Sequence, residues 1–164
     1  MLKDLCQKNS IDCTIIPEVF CVTNNGEKVI ASSTNVRDFL KMGNIGNVNL
    51  ILGRSYSVSG KVVYGKQIGR TIGFPTANID VPKGIILPKN GVYASKIYID
   101  NVAWDAVANI GDNSTVNLQG NVTLEVNILN FSGDIYNKEV RLEFTHRIRD
   151  EINFNSLEEL KQQI

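Results

Sequence analysis

The feature that most constrains this chain is a change of character near Gly53, after which apolar residues recur at every second position in short runs divided by turn residues. In residues 122–129, Val122, Leu124, Val126 and Ile128 fall on one side, with Thr123, Glu125 and Asn127 on the other. A period of two is the mark of a pleated strand with one buried face. Residues 56–64 place Val58, Gly60, Val62 and Tyr64 on one side. Residues 93–99 and 102–110 are rich in strand formers and meet at Asp100-Asn101, which predicts a hairpin. Ser132-Gly133-Asp134 and Asn137-Lys138 predict turns, and a further strand follows over 139–148. A terminal helix is predicted from a capping box of Ser156 and Glu159, with Leu157, Leu160 and Ile164 on one face. Six or so closely spaced strands and one helix predict a mainly β domain over 54–164: a closed six-stranded antiparallel barrel with a C-terminal helix.

Residues 1–53 follow a different pattern. A strand is predicted over 13–22, then a helix capped among Ser32, Ser33 and Thr34, with Val36, Phe39 and Leu40 on one face and Gly43 as its stop. A second short helix is predicted from about 46 to 52, ended by Gly53. This stretch has too little apolar surface to stand alone, so it is expected to be a short α/β appendage docked on the barrel, or the tail of something larger.

Composition narrows the function. Lys plus Arg and Asp plus Glu balance at 17 each, without the basic excess of a nucleic-acid binder. No apolar run approaches the ~20 residues of a membrane span, and the polar start MLKDLCQKNS does not resemble a signal peptide. A cytoplasmic protein with neither nucleic acid nor membrane as partner is expected, with a monomer as the default. Cys6, Cys13 and Cys21 do not have zinc-site spacing, and reduced thiols are expected.

The segment richest in chemistry is 65–78, GKQIGRTIGFPTAN. Gly65, Gly69 and Gly73 allow close backbone approach to a ligand. Arg70 can engage a phosphate. Pro75 fixes the chain before Thr76 and Asn78, whose oxygens are hard ligands suited to Mg²⁺. The glycines alone would equally suit an ordinary hairpin. Neither a P-loop nor a GxGxxG turn is present, so a phosphate site here belongs to another fold.

Five strings in order, GRTIGFPTAN, LPKNGVYA, VANIG, LEVNILNF and RDEINFNSLEELKQQI, resemble riboflavin kinase, and more closely the C-terminal module of the bacterial bifunctional riboflavin kinase/FMN adenylyltransferase. The resemblance runs from about Gly53 to Ile164. ASSTNVRDFL and LGRSYSVSG are similar to the end of that protein's adenylyltransferase domain, so residues 1–53 are expected to be a remnant of a nucleotidyltransferase domain. The adenylyltransferase motif His-x-Gly-His has no counterpart, since His146 is the one histidine. The resemblance implies ATP-dependent phosphorylation of riboflavin to FMN, with Mg²⁺ entering with ATP and no FAD synthesis. It implies Thr76 and Asn78 as metal and ATP ligands, Gly65, Arg70 and Pro75 as ATP contacts, Glu125 as catalytic base, and Arg149 and Phe154 on the flavin side. The riboflavin, FMN, ATP and ADP partners follow. Asp112 to Val116 depart from the Thr-Arg-Pro-Thr-Phe that often follows Ala-Asn-Ile-Gly in the family.

The residues themselves agree on Glu125. Phosphoryl transfer to an alcohol of high pKa gains from a fixed carboxylate that takes the proton, and Glu125 sits mid-strand opposite the apolar row. His146, in phase with Leu142 and Phe144, is expected to face the barrel's packing side, and Trp104 to belong to the core. The alternative to an enzyme is a non-catalytic flavin-binding or regulatory module.

Overall fold

The computed structural model describes residues 2–65, 74–112 and 122–152. Six strands, β3 (Tyr56–Val63), β4 (Thr76–Asp80), β5 (Gly91–Ile99), β6 (Val102–Asp112), β7 (Val122–Ile128) and β8 (Glu139–Arg149), close an antiparallel barrel in the order β3-β4-β7-β6-β5-β8. Asp100 and Asn101 both take positive φ, 50° and 65°, the backbone of a tight hairpin turn between β5 and β6. The alternating apolar residues fill the lumen: Val58, Val62, Ala77, Ile79, Ile97, Ala108, Ile110, Leu124, Val126, Leu142 and Phe144 are all buried. At ~1.5–3 kcal/mol for each large side chain taken from water, this row is the main stabilising force of the wall. Trp104 is half-buried and packs edge-on against Phe131, with ring centroids 5.1 Å apart.

The strand β4 was not evident from the pattern. Thr76 and Asn78 lie within it and face outward, while Ala77 and Ile79 point into the lumen. Tyr64, expected in line with Val62, lies just beyond β3 and is exposed, its ring stacked on that of Tyr136 at 3.9 Å.

His146 is a correction: it is exposed and does not face the packing side. Val140, Leu142 and Phe144 point inward, but Ser95 pairs with Phe144 and Ala94 with His146, leaving Thr145 as an extra residue. This bulge resets the alternation, and the Thr145 hydroxyl donates to the Ala94 carbonyl at 2.9 Å. A second irregularity at Ile148 lets Val92 pair with Arg149.

Before the barrel come α1 (Leu2–Lys8), the two-stranded β1 (Phe20–Val22) and β2 (Lys28–Ile30), α2 (Ser33–Met42) and α3 (Ile45–Leu52). The predicted strand over 13–22 reduces to β1, because Pro17 cannot donate to a ladder and the pairing with β2 covers 20–22, extended by the Ala31 amide donating to the Val19 carbonyl. Ser32 caps α2 through the Asn35 amide, and Gly43 and Gly53 end the two helices in the left-handed conformation, as expected. Leu40, Ile45 and Val48 join the barrel's core. Asn49 fastens α3 to two strands at once, donating to the Phe144 carbonyl at 2.9 Å and accepting from the Tyr56 amide at 2.7 Å. No helix among the described residues is long and apolar enough to cross a membrane.

Candidate active site

The pairing register draws one row of residues across the outside of the wall. Val63 pairs with Asn78, Asn78 with Glu125, Glu125 with Asn109, Asn109 with Val92, and Val92 with Arg149. Directly opposed residues share a face, so all six strands contribute one outward position to this row. Glu125 and Arg149 stand three strand spacings apart, about 14 Å along the wall.

Around Glu125 the polar groups converge. Thr76 donates its hydroxyl to Oε2 of Glu125 at 3.3 Å. Asn127, beside Glu125 on the same face, donates to the Pro75 carbonyl at 2.9 Å and so holds the turn into β4. Asn78 lies against the backbone of Gly65, where a Cβ would overlap its carboxamide. Gly65, Pro75, Thr76, Asn78 and Glu125 are therefore brought together. Arg70 and Phe154 lie outside the described residues, as do the predicted terminal helix and residues 113–116.

Two cavities flank this cluster. One, of about 610 Å³, opens beside Pro75 and Thr76 and is walled by Phe131, Tyr136, Val62 and Ile128. The other, of about 520 Å³, borders Asn78, Asp80, Lys83 and Thr123. Among the described residues no group of three or more His, Cys, Asp or Glu could hold a metal ion. Beside the Glu125 carboxylate, Thr76 and Asn78 offer neutral oxygens, which fit a cation that brings its own anionic ligands.

At the other end of the row, Arg149 donates to the Asp150 carbonyl at 3.1 Å. The Glu151 carboxylate fills the space above Gly111, which pairs with Thr123 two residues along from Glu125. Asn109, Asn127 and Glu151 did not stand out in the sequence. The alternation that put Glu125 outward also places Asn127 there, but nothing local marks either asparagine as different from a solvated one.

The barrel's outer wall thus gathers a carboxylate and two neutral hard ligands on β4 and β7, with Arg149 three strands away in either direction and the lumen given over to packing. The family model for riboflavin kinase matches residues 52–164. The chain belongs to the riboflavin kinase family. It is 35% identical over 154 residues to the bifunctional riboflavin kinase/FMN adenylyltransferase of Bacillus subtilis, a match covering 93% of this chain and 47% of that protein. The protein of the same description from Buchnera aphidicola of Acyrthosiphon pisum is 45% identical over 135 residues, covering 81% and 43%. A solved structure described as a macrolide-efflux protein from Streptococcus pneumoniae superposes with a TM-score of 0.84 at 34% identity, over 98% of this chain and 51% of that one. The chain thus spans about half the length of the curated relatives it matches.

Proposed function

We propose that this chain transfers the γ-phosphoryl group of ATP to the 5′-hydroxyl of riboflavin, giving FMN and ADP. The observation that carries the reading is the Thr76–Glu125 contact, which puts a carboxylate within one hydrogen bond of the segment that resembles the family's ATP motif. Glu125 accepts the proton of the attacking hydroxyl as the O–P bond forms and the bond to ADP breaks. The cavity beside Pro75, with the rings of Phe131 and Tyr136, suits a purine and leads its phosphates toward Thr76. Gly65 lets the Asn78 carboxamide pack against the chain, at the strand position opposite Glu125. Magnesium bound with the nucleotide would neutralise phosphate charge, and Thr76 and Asn78 are the residues that would hold it. Arg149 is read as a flavin-side residue from the resemblance to the family, with the ribityl 5′-hydroxyl placed at Glu125. Residues 1–53 read as the end of a nucleotidyltransferase domain, without the histidine motif for adenylyl transfer.

The test is to incubate the chain with riboflavin, ATP and MgCl₂ and to separate riboflavin, FMN and FAD by chromatography. FMN is expected, and no FAD from FMN plus ATP. Flavin binding without FMN formation would instead mark a non-catalytic module.

A further inference from the structure

We propose that Arg147 is a positioning residue for the flavin end of the site, and that α2 acts on that end through it. The inference rests on the reading of Arg149 as flavin-side. Arg147 stands two residues before Arg149, between the two irregularities of β8, where it pairs with Tyr93 of β5. Its guanidinium is held from several directions. Nε donates to the Tyr93 hydroxyl at 3.4 Å, and Nη2 donates to the Asn90 carbonyl at 3.0 Å and to Oδ1 of Asp150 at 2.6 Å. Asp150 in turn pairs with Lys89 at 3.2 Å, and the Lys89 amide donates to the Leu40 carbonyl of α2 at 2.9 Å.

Two glycines leave the room for this arrangement. Gly43, the left-handed cap of α2, lies where a Cβ would stand 2.6 Å from Nε of Arg147 and 3.3 Å from the Tyr93 hydroxyl. Gly91, the first residue of β5, lies where a Cβ would stand 2.9 Å from Nη2 and 2.6 Å from the Arg149 carbonyl. Arg147 therefore joins three segments: the end of α2, the entry to β5 and the exit of β8. That exit carries Arg149, opposite Val92 in the outer row, and Glu151, over Gly111. A lysine ammonium in this place is a single point of charge and cannot reproduce the fork that serves Tyr93, Asn90 and Asp150 together. Moving Arg147 moves the flavin end and leaves Thr76, Asn78 and Glu125, on β4 and β7, where they are.

The test is steady-state kinetics and thermal melting of the full chain with Gly43→Ala, Gly53→Ala and Arg147→Lys. Gly43 and Gly53 are both left-handed helix caps, with φ of 74° and 64°, so alanine introduces similar backbone strain at each. Only at Gly43 does the new methyl meet Arg147; at Gly53 it meets nothing within 4 Å. Both glycine variants are expected to melt somewhat earlier than the parent. Gly43→Ala and Arg147→Lys are expected to raise KM for riboflavin roughly tenfold, the scale of losing hydrogen bonds to a charged group, with KM for ATP unchanged. Gly53→Ala is expected to keep both constants at the parent values. An active parent with Gly43→Ala matching Gly53→Ala in kinetics, or with both KM values rising together, overturns the role of Arg147 alone. A parent that makes no FMN overturns the kinase reading and this inference with it.

Discussion

Thr76 and Glu125 are diagonal neighbours across β4 and β7, and the hydroxyl of one donates to the carboxylate of the other at 3.3 Å. With its proton committed to Glu125, the Thr76 oxygen presents lone pairs outward. One contact thus orients a hard ligand and a proton acceptor together. It explains why the two belong on adjacent strands of a stiff wall, where neither depends on a loop for its position.

Changing Glu125→Gln keeps the size of the side chain and an oxygen that can accept from Thr76, but removes the basicity. Turnover should fall by ~10²–10⁴-fold, while riboflavin and ATP still bind within a few-fold of the parent and the melting temperature holds. Rapid-quench measurement of FMN formation, with fluorescence titration of riboflavin, checks both halves. Near-parental turnover would remove Glu125 as the base.

Gly65→Ala tests the other side of the cluster. Gly65 does not adopt positive φ, so alanine costs little in backbone strain, but its Cβ would overlap the Asn78 carboxamide and displace it. The affinity for magnesium ATP should drop by roughly tenfold, the loss of one hydrogen-bonding contact to a charged group. Riboflavin affinity should stay at the parent value, and calorimetry with each ligand distinguishes the two.

The proposed metal ligands, Thr76 and Asn78, are neutral, and two neutral oxygens should not compete with the hydration shell of Mg²⁺. Titrating MgCl₂ into the free protein should give weak or no heat, and titration after saturation with ADP should give a clear isotherm. Tight binding without nucleotide would mean that a carboxylate ligand contributes.

Asp150 is held below the usual carboxylate range, first by the hydrogen bond from Arg147 and then by that from Lys89. A depressed folded-state pKa stabilises the fold above the unfolded value of about 3.9 and ceases to do so as pH falls through the folded value. Asp150→Asn should therefore melt below the parent at pH 7, with the gap closing as pH drops under about 4. A gap that persists unchanged in acid would show that the carboxylate charge is not its source. Melting curves by circular dichroism across that range provide the measurement.

Most of the barrel was legible in the residues because half its wall packs a lumen. Apolar alternation in 56–63, 93–99 and 122–128 has no other economical use, and Asp100-Asn101 marks its turn by chemistry alone. The strand β4 escaped because its five residues, TANID, carry two lumen positions only and follow a proline. What makes it a strand is the pairing with β3 and β7, which lies far away in sequence. His146 was misplaced for a related reason: a bulge inserts one residue without a local signal, and the side chains after it change sides until the second irregularity at Ile148. In the proposed site, Glu125 was picked out by resemblance and alternation together, and Thr76 and Asn78 by resemblance and the chemistry of their oxygens. The contacts of Asn127 and Arg147 became visible only through partners 52 and 54 residues away, Pro75 and Tyr93.

The interleaving of lumen and site along β4 and β7 has a consequence for how this wall can change over time. Ala77 and Ile79 alternate with Thr76 and Asn78, and Leu124 and Val126 flank Glu125. Substitution can alter one set without touching the other. A single-residue deletion or insertion in either strand would swap the sets wholesale, turning Glu125 into an apolar lumen and Leu124 or Val126 to water. The stretch is therefore a reading frame in structural form, open to exchange of letters and closed to changes of length.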